Sequence, residues 1–191
     1  NDPARGLNPT RITAMQLIVA MNTMLQEHIP GQVGRYDDKF NENCVGDTFQ
    51  MLGVPTVLFE AGHYPNDYQR EETRKYIFMA LVTALDTISL DRVNKMPYKE
   101  YFAIPENKKL FFDVLVKNAN KVNDAYPENH LLGIRFKETL KNAKIEFVPE
   151  IVEMGELPGA YGHLTLDCAT PENLKGTAYG NLLELIQDFH N

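Results

Sequence analysis

The chain has little of what several protein classes require. Its 191 residues contain two cysteines, Cys44 and Cys168, enough for one bridge at most, which excludes a disulfide-built scaffold. No apolar run approaches the roughly 20 residues that a membrane-spanning helix needs, so no membrane partner is expected. Nineteen Lys and Arg stand against 26 Asp and Glu, a net charge of −7 with no basic run. A phosphate backbone would meet no cationic surface, and nucleic acid is not an expected partner. Internal repeats and low-complexity tracts are absent too. Catalytic signatures are thin. None of the five histidines (His28, His63, His130, His163, His190) opens a His-x-x-Glu or His-x-x-x-His pair, so no metal ligands are assigned within the chain. There is no Gly-x-Ser-x-Gly elbow and no phosphate-binding Gly-rich loop.

What is present is an ordinary globular composition, 43% hydrophobic and 24% charged, in the range of chains that bury a core. The opening Asn1-Asp2-Pro3 has neither an initiator Met nor a charged-then-apolar leader. It fits a piece of a longer protein as well as a mature product, and the compartment stays open between cytoplasm and periplasm.

Hydrophobic spacing places the elements. Ile12, Met15, Ile18/Val19, Met21 and Leu25 recur at helical intervals after Thr10, an N-cap residue type, and Pro30-Gly31 ends the helix. A Gly-, Asn- and Asp-rich stretch covers 31–53. The β-rich run from Val54 to Phe59 reads as a buried strand, with Pro55 tolerable near its start. A second helix is expected over Glu71–Ser89, with Tyr76/Ile77, Ala80/Leu81, Ala84/Leu85 and Ile88 inward and Glu71 and Glu72 at its positive end. From residue 91 the texture changes. A helix is expected over Glu106–Val122, then short strands within 131–168 and a final helix over Asn181–Phe189 that buries Leu182, Leu185, Ile186 and Phe189. The expected organisation is an α/β unit over 1–90 and a small α+β unit over 91–191.

The sharpest candidate for chemistry is Glu60, a carboxylate at the end of the expected buried strand and followed by Ala61-Gly62. Open α/β sheets place their ligand crevices at strand ends, and burial there would raise a carboxylate towards the range of a general base. The alternative is a cap for the following helix or an ion pair with Arg70 or Arg74. His63 is three residues further on, but a strand end and Ala-Gly do not make the helical turn that a Glu-x-x-His metal pair needs. The cysteines read as buried free thiols. The run NDYQREETR offers guanidinium forks to a carboxylate, or simply a solvated helix start with pairs such as Glu71 and Lys75.

The segment GRYDDKFNENCVGDTFQMLGVPTVLFEAGHYPNDYQREETRKYIFMAL resembles the C-terminal part of the catalytic domain of bacterial zinc carboxypeptidases. In that family a mobile loop carries a Tyr, a nearby Asp lines the specificity pocket and a strand delivers the catalytic Glu. Tyr36, Asp47 and Glu60 stand here in that order. The resemblance implies an α/β fold, the C-terminal part of a mixed-sheet carboxypeptidase-like domain, followed by the small α+β unit. It implies a hydrolase that cleaves a C-terminal peptide or related amide bond. Glu60 would be the general base, Tyr36 a catalytic hydrogen-bond donor, and Asp47 and Gly46 would contact the substrate side chain. The family's zinc-binding His-x-x-Glu and later His lie upstream of the catalytic Glu and have no counterpart here. The resemblance therefore covers about residues 8–90, and zinc would belong to an intact protein whose other half holds the ligands. The chain alone would be inactive and would pair with that missing N-terminal half or a second copy. The alternative is a non-catalytic peptide-binding or interaction module on the same framework.

Overall fold

A computed structural model describes residues 6–36, 43–170 and 180–188. The chain divides into two units, Asn1–Lys108 and Lys109–Asn191. Helices together with a four-stranded mixed sheet make it α/β in class. The division lies after Lys108 rather than near residue 91, because the segment 91–108 is tied to the first unit. There Gln16 Nε2 donates to the Met96 carbonyl at 3.0 Å, and Arg35 N donates to the Pro105 carbonyl at 2.7 Å.

The first unit is built on two long helices, α1 (Pro9–His28) and α3 (Glu71–Ser89), with a short α2 (Val45–Met51) between them. Asn8 rather than Thr10 caps α1: its side chain accepts from Arg11 N at 2.8 Å. Pro9 then occupies a first-turn position, where its missing N–H costs nothing. Met21 packs with Ala80 and Ala84, and Leu17, Ile18, Met24, Leu25 and Val57 border that cluster. The small alanines let the two helices approach closely. Bounds of α3 agree with the spacing, yet Leu81, Leu85 and Ile88 of its apolar stripe face out, as do Phe78 and Val82 outside the stripe. Phe78 is 67% exposed and Leu85 66%, with Leu81, Val82 and Ile88 also exposed. Among the described residues α1 covers one side of α3, with Val57 and the Tyr64 ring beside it, and the opposite apolar side stays exposed.

No strand forms at Val54–Phe59. The run is without regular secondary structure, and Val54, Leu58 and Phe59 are exposed. A strand exists only with a neighbour to bond to, and among the described residues 54–59 finds none. Among the unit's described residues the one β-bridge pairs Arg35 with Glu106. Gly34 permits that approach, since a Cβ there would lie 2.9 Å from Asn107 Cα.

The second unit is a four-stranded sheet in the order β3-β2-β1-β4: β1 (Phe111–Lys117), β2 (Leu131–Lys141), β3 (Lys144–Gly155) and β4 (Tyr161–Asp167). β1 is parallel to β4 and antiparallel to β2. The helix expected over Glu106–Val122 is therefore a strand. Leu110, Phe111, Val114 and Leu115 satisfy a spacing of three and four, but Val114 and Val116 also alternate, and β-branched residues flanked by two strands settle the choice. KIEFV and EIVEM form one continuous β3 through Pro149, which an edge strand tolerates. Helix α4 (Gly180–Gln187) lays Leu182 and Ile186 on a core of Val114, Val116, Leu132, Ile134, Leu166 and Cys168. Each such side chain contributes about 1.5–3 kcal/mol by burial. Phe189 lies outside the described residues.

Candidate functional site

Glu60 follows the extended run and is exposed, so the burial on which its role was argued is not found. The neighbouring cations do not hold it either. Arg70 donates to the carbonyls of Ala61 at 2.5 Å and Gly62 at 3.1 Å, and Arg74 pairs with Glu71. These bonds fix the backbone just after Glu60 while its carboxylate stays in solvent. The run before it is fixed from the other side. Val54 N donates to Phe49 O at 3.0 Å, and Thr56 N to Gln50 Oε1 at 3.2 Å. Main-chain hydrogen bonds from Val57 to Glu60 are missing among the described residues.

Gly46 and Asp47 occupy the first turn of α2, where a carboxylate suits the helix dipole. A Cβ at Gly46 would rest 3.5 Å from Thr56 Cγ2, so this turn packs against the run that leads to Glu60. Tyr36 is exposed and sits on a different anchor. Its neighbour Arg35 donates from Nε to Ile104 O at 2.7 Å, lies 5.6 Å from the Tyr101 ring centroid, and accepts from Asn107 N at 2.8 Å through its carbonyl. The structure thus brings Gly46 and Asp47 towards the Glu60 run and ties Arg35, the residue before Tyr36, to residues 104–107.

The anchoring residues Arg35, Gln50 and Arg70 carry no motif. Each is recognised only by the distant carbonyl or amide that it meets. A cleft of about 330 Å³ beside the Arg35 anchor is lined by residues including Asn22, Gln26, Val33, Glu100 and Ile104, and includes none of the expected site residues.

The run NDYQREETR starts α3. Asp67 Oδ2 accepts from Thr73 N at 2.9 Å and Thr73 Oγ1 at 3.1 Å. Partial desolvation pushes its carboxyl up, but the amides of Thr73, Glu72 and Glu71 and the Thr73 hydroxyl outweigh that and leave it below the usual value. Lys75 pairs with Glu72 rather than Glu71. The thiols differ: Cys44 is exposed, because it precedes a surface helix, and Cys168 is buried. Burial first, then the Asp167 charge, pushes the Cys168 thiol up. Beside it, burial pushes the Tyr126 phenol up to about 12. No group of three or more His, Cys, Asp or Glu that could hold a metal ion occurs among the described residues. The donor set for zinc does not fit within them, and none of their helices is long and apolar enough to cross a membrane. Comparison of the chain with protein-family models, with curated proteins and with solved structures finds no match.

Proposed function

We propose that this chain is part of a zinc-dependent carboxypeptidase-like metallohydrolase that cleaves a C-terminal peptide or related amide bond, with Glu60 as general base. On this reading zinc is held by residues outside the chain, Tyr36 hydrogen-bonds the substrate, and Asp47 and Gly46 border the pocket for its terminal side chain. The reading rests on the order of Tyr36, Asp47 and Glu60 in the resembling segment. One observation carries it further: the run ending in Glu60 is apolar, exposed at Val54, Leu58 and Phe59, and without main-chain partners from Val57 onward among the described residues. That is how a strand looks without its sheet. The uncovered side of α3 fits the same account, since a helix that is apolar on two sides belongs between two layers. A sheet supplied by the missing half would pair with 54–59 and bury Glu60, the condition under which a carboxylate becomes a useful base.

The experiment is to produce the intact protein and the same protein carrying Glu60→Gln. Release of the C-terminal residue from a peptide should be abolished in the variant while bound zinc is unchanged. Turnover at the wild-type rate would remove Glu60 from its role. An intact protein that neither binds zinc nor hydrolyses peptides would instead be the non-catalytic peptide-binding module.

A further inference from the structure

The arm formed by β2 and β3 presents an unfinished face. β1 pairs with β2 only from Leu132 to Ile134, so beyond Phe136 the two strands continue without a third neighbour among the described residues, as Lys137–Lys141 against Lys144–Val148. Residues opposite each other in an antiparallel pair share a face. One face of the arm carries Lys137 with Glu150 at 3.1 Å and Lys141 with Glu146 at 3.6 Å, two cross-strand ion pairs suited to solvent. The other carries the pairs Phe136–Pro149, Glu138–Phe147 and Leu140–Ile145. Leu140 is 75% exposed, Ile145 62% and Phe147 63%. This face continues the one on which Leu132 and Ile134 are buried, and Phe136 is packed at the margin of that core.

Over the inner part of the face, the unit shows what covers it. Helix α4 places Leu182, Leu185 and Ile186, spaced by three and four, on the core. The outer part spans from Phe136 to Leu140, roughly 13 Å at the rise of a strand. That length matches about two and a half turns of a helix. Its single charge is Glu138, which has no cationic partner among the described residues.

We propose that the outer face of this arm is a docking site for an amphipathic helix of a partner protein, one that places a Lys or Arg among its apolar side chains to meet Glu138. The charge selects the occupant. Packing the same face of a second copy against it would supply no cation to Glu138, because every other residue of the face is apolar. A helix with a cation in its apolar stripe satisfies the carboxylate and covers Leu140, Ile145 and Phe147, as α4 covers the neighbouring stretch. The site lies wholly in the second unit and is independent of the proposed peptidase reading.

The test uses the full chain and two fluorescein-labelled helical peptides with leucines at i, i+3, i+4 and i+7. One carries a single Lys within that stripe, and its twin carries Glu at the same position. Fluorescence anisotropy should show saturable binding of the Lys peptide and at least tenfold weaker binding of the Glu peptide. Phe147→Ser should weaken the Lys peptide at least tenfold, and Glu138→Lys should reverse the preference between the two peptides. Both side chains are exposed, and unchanged circular dichroism would verify the fold of each variant. Equal affinity for both peptides, or indifference to Phe147→Ser and Glu138→Lys, would overturn the proposal. So would a wild-type dimer in sedimentation that Phe147→Ser dissociates, since the occupant would then be a second copy.

Discussion

Gly133→Ala probes how closely the sheet of the second unit is packed. The glycine sits in β2 opposite Leu115 and has no left-handed φ, so available space alone decides the outcome. A methyl group added there falls within contact distance of the Phe112 ring, with Cζ only 2.7 Å away. Carbon atoms rest at about 3.5–4.0 Å, so one of them must move. The ring is buried, with the Arg135 guanidinium 5.6 Å from its centroid, and it cannot swing aside without opening that face. Overpacking of this kind costs about 1–3 kcal/mol. Replacing glycine also stiffens the unfolded chain, which returns about 0.4–1 kcal/mol. A net loss of about 1–2 kcal/mol remains, and in a domain of this size it lowers Tm by roughly 5–15 °C. The chain has no Trp, so the assay is thermal and urea unfolding followed by the sheet signal in circular dichroism. Gly62→Ala is the control: nothing lies within 4 Å of its added Cβ, and stability should hold or rise slightly. A shorter side chain at position 112 should relieve the clash, so Gly133→Ala should cost less in a Phe112→Leu background than alone. A Gly133→Ala protein as stable as wild type would refute the packing argument.

Three further outcomes concern the β2–β3 turn, Asp167 and the two thiols. Asn142 and Ala143 both have positive φ, 51° and 61°, in the turn between β2 and β3. Ala143→Gly should therefore raise stability by about 1 kcal/mol, read as a higher urea midpoint. Asp167 accepts from Asn118 Nδ2 at 2.7 Å and Ala169 N at 2.9 Å, which holds its carboxyl below the ordinary 3.8. Its stabilisation is fully present above the unfolded value and is lost as pH falls through the lower folded one. The Tm gap between wild type and Asp167→Asn should thus be widest near neutrality and close in acid. A gap that widens below the ordinary carboxylate range would contradict this. With Cys44 exposed and Cys168 buried, a disulfide exchange reagent at neutral pH should titrate one thiol per folded chain and the second only in denaturant. Two fast thiols would show that the core around Tyr126 is open.

Local signals read from the sequence were those that depend on near neighbours. The α3 bounds at Glu71 and Ser89 follow from a 3.6-residue stripe and acidic residues in the first turn, and both are properties of the helix itself. The strands beginning at Leu131 and Lys144, and Leu182 and Ile186 as the buried positions of α4, were equally local. Non-local choices were not legible. The stretch from Leu110 to Leu115 carries a helical and an alternating pattern at once, and only pairing with β2 and β4 selected the strand. Val54–Phe59 has the composition of a strand, but among the described residues no neighbour completes it.

The candidate site divides in the same way. Tyr36, Asp47 and Glu60 were picked out by residue type and order, which the chain carries in one dimension. That Gly46 packs on Thr56, that Arg70 grips the carbonyls after Glu60, and that Arg35, the residue before Tyr36, is anchored to Ile104 depends on contacts between distant positions. By itself the sequence determined α1, α3 and α4, the acidic charge and the identity of the candidate groups, because propensity and charge reside in single residues and their near neighbours. The tertiary structure decided which apolar runs became strands and which apolar faces stayed uncovered, because a strand and a buried face both need a second element to complete them.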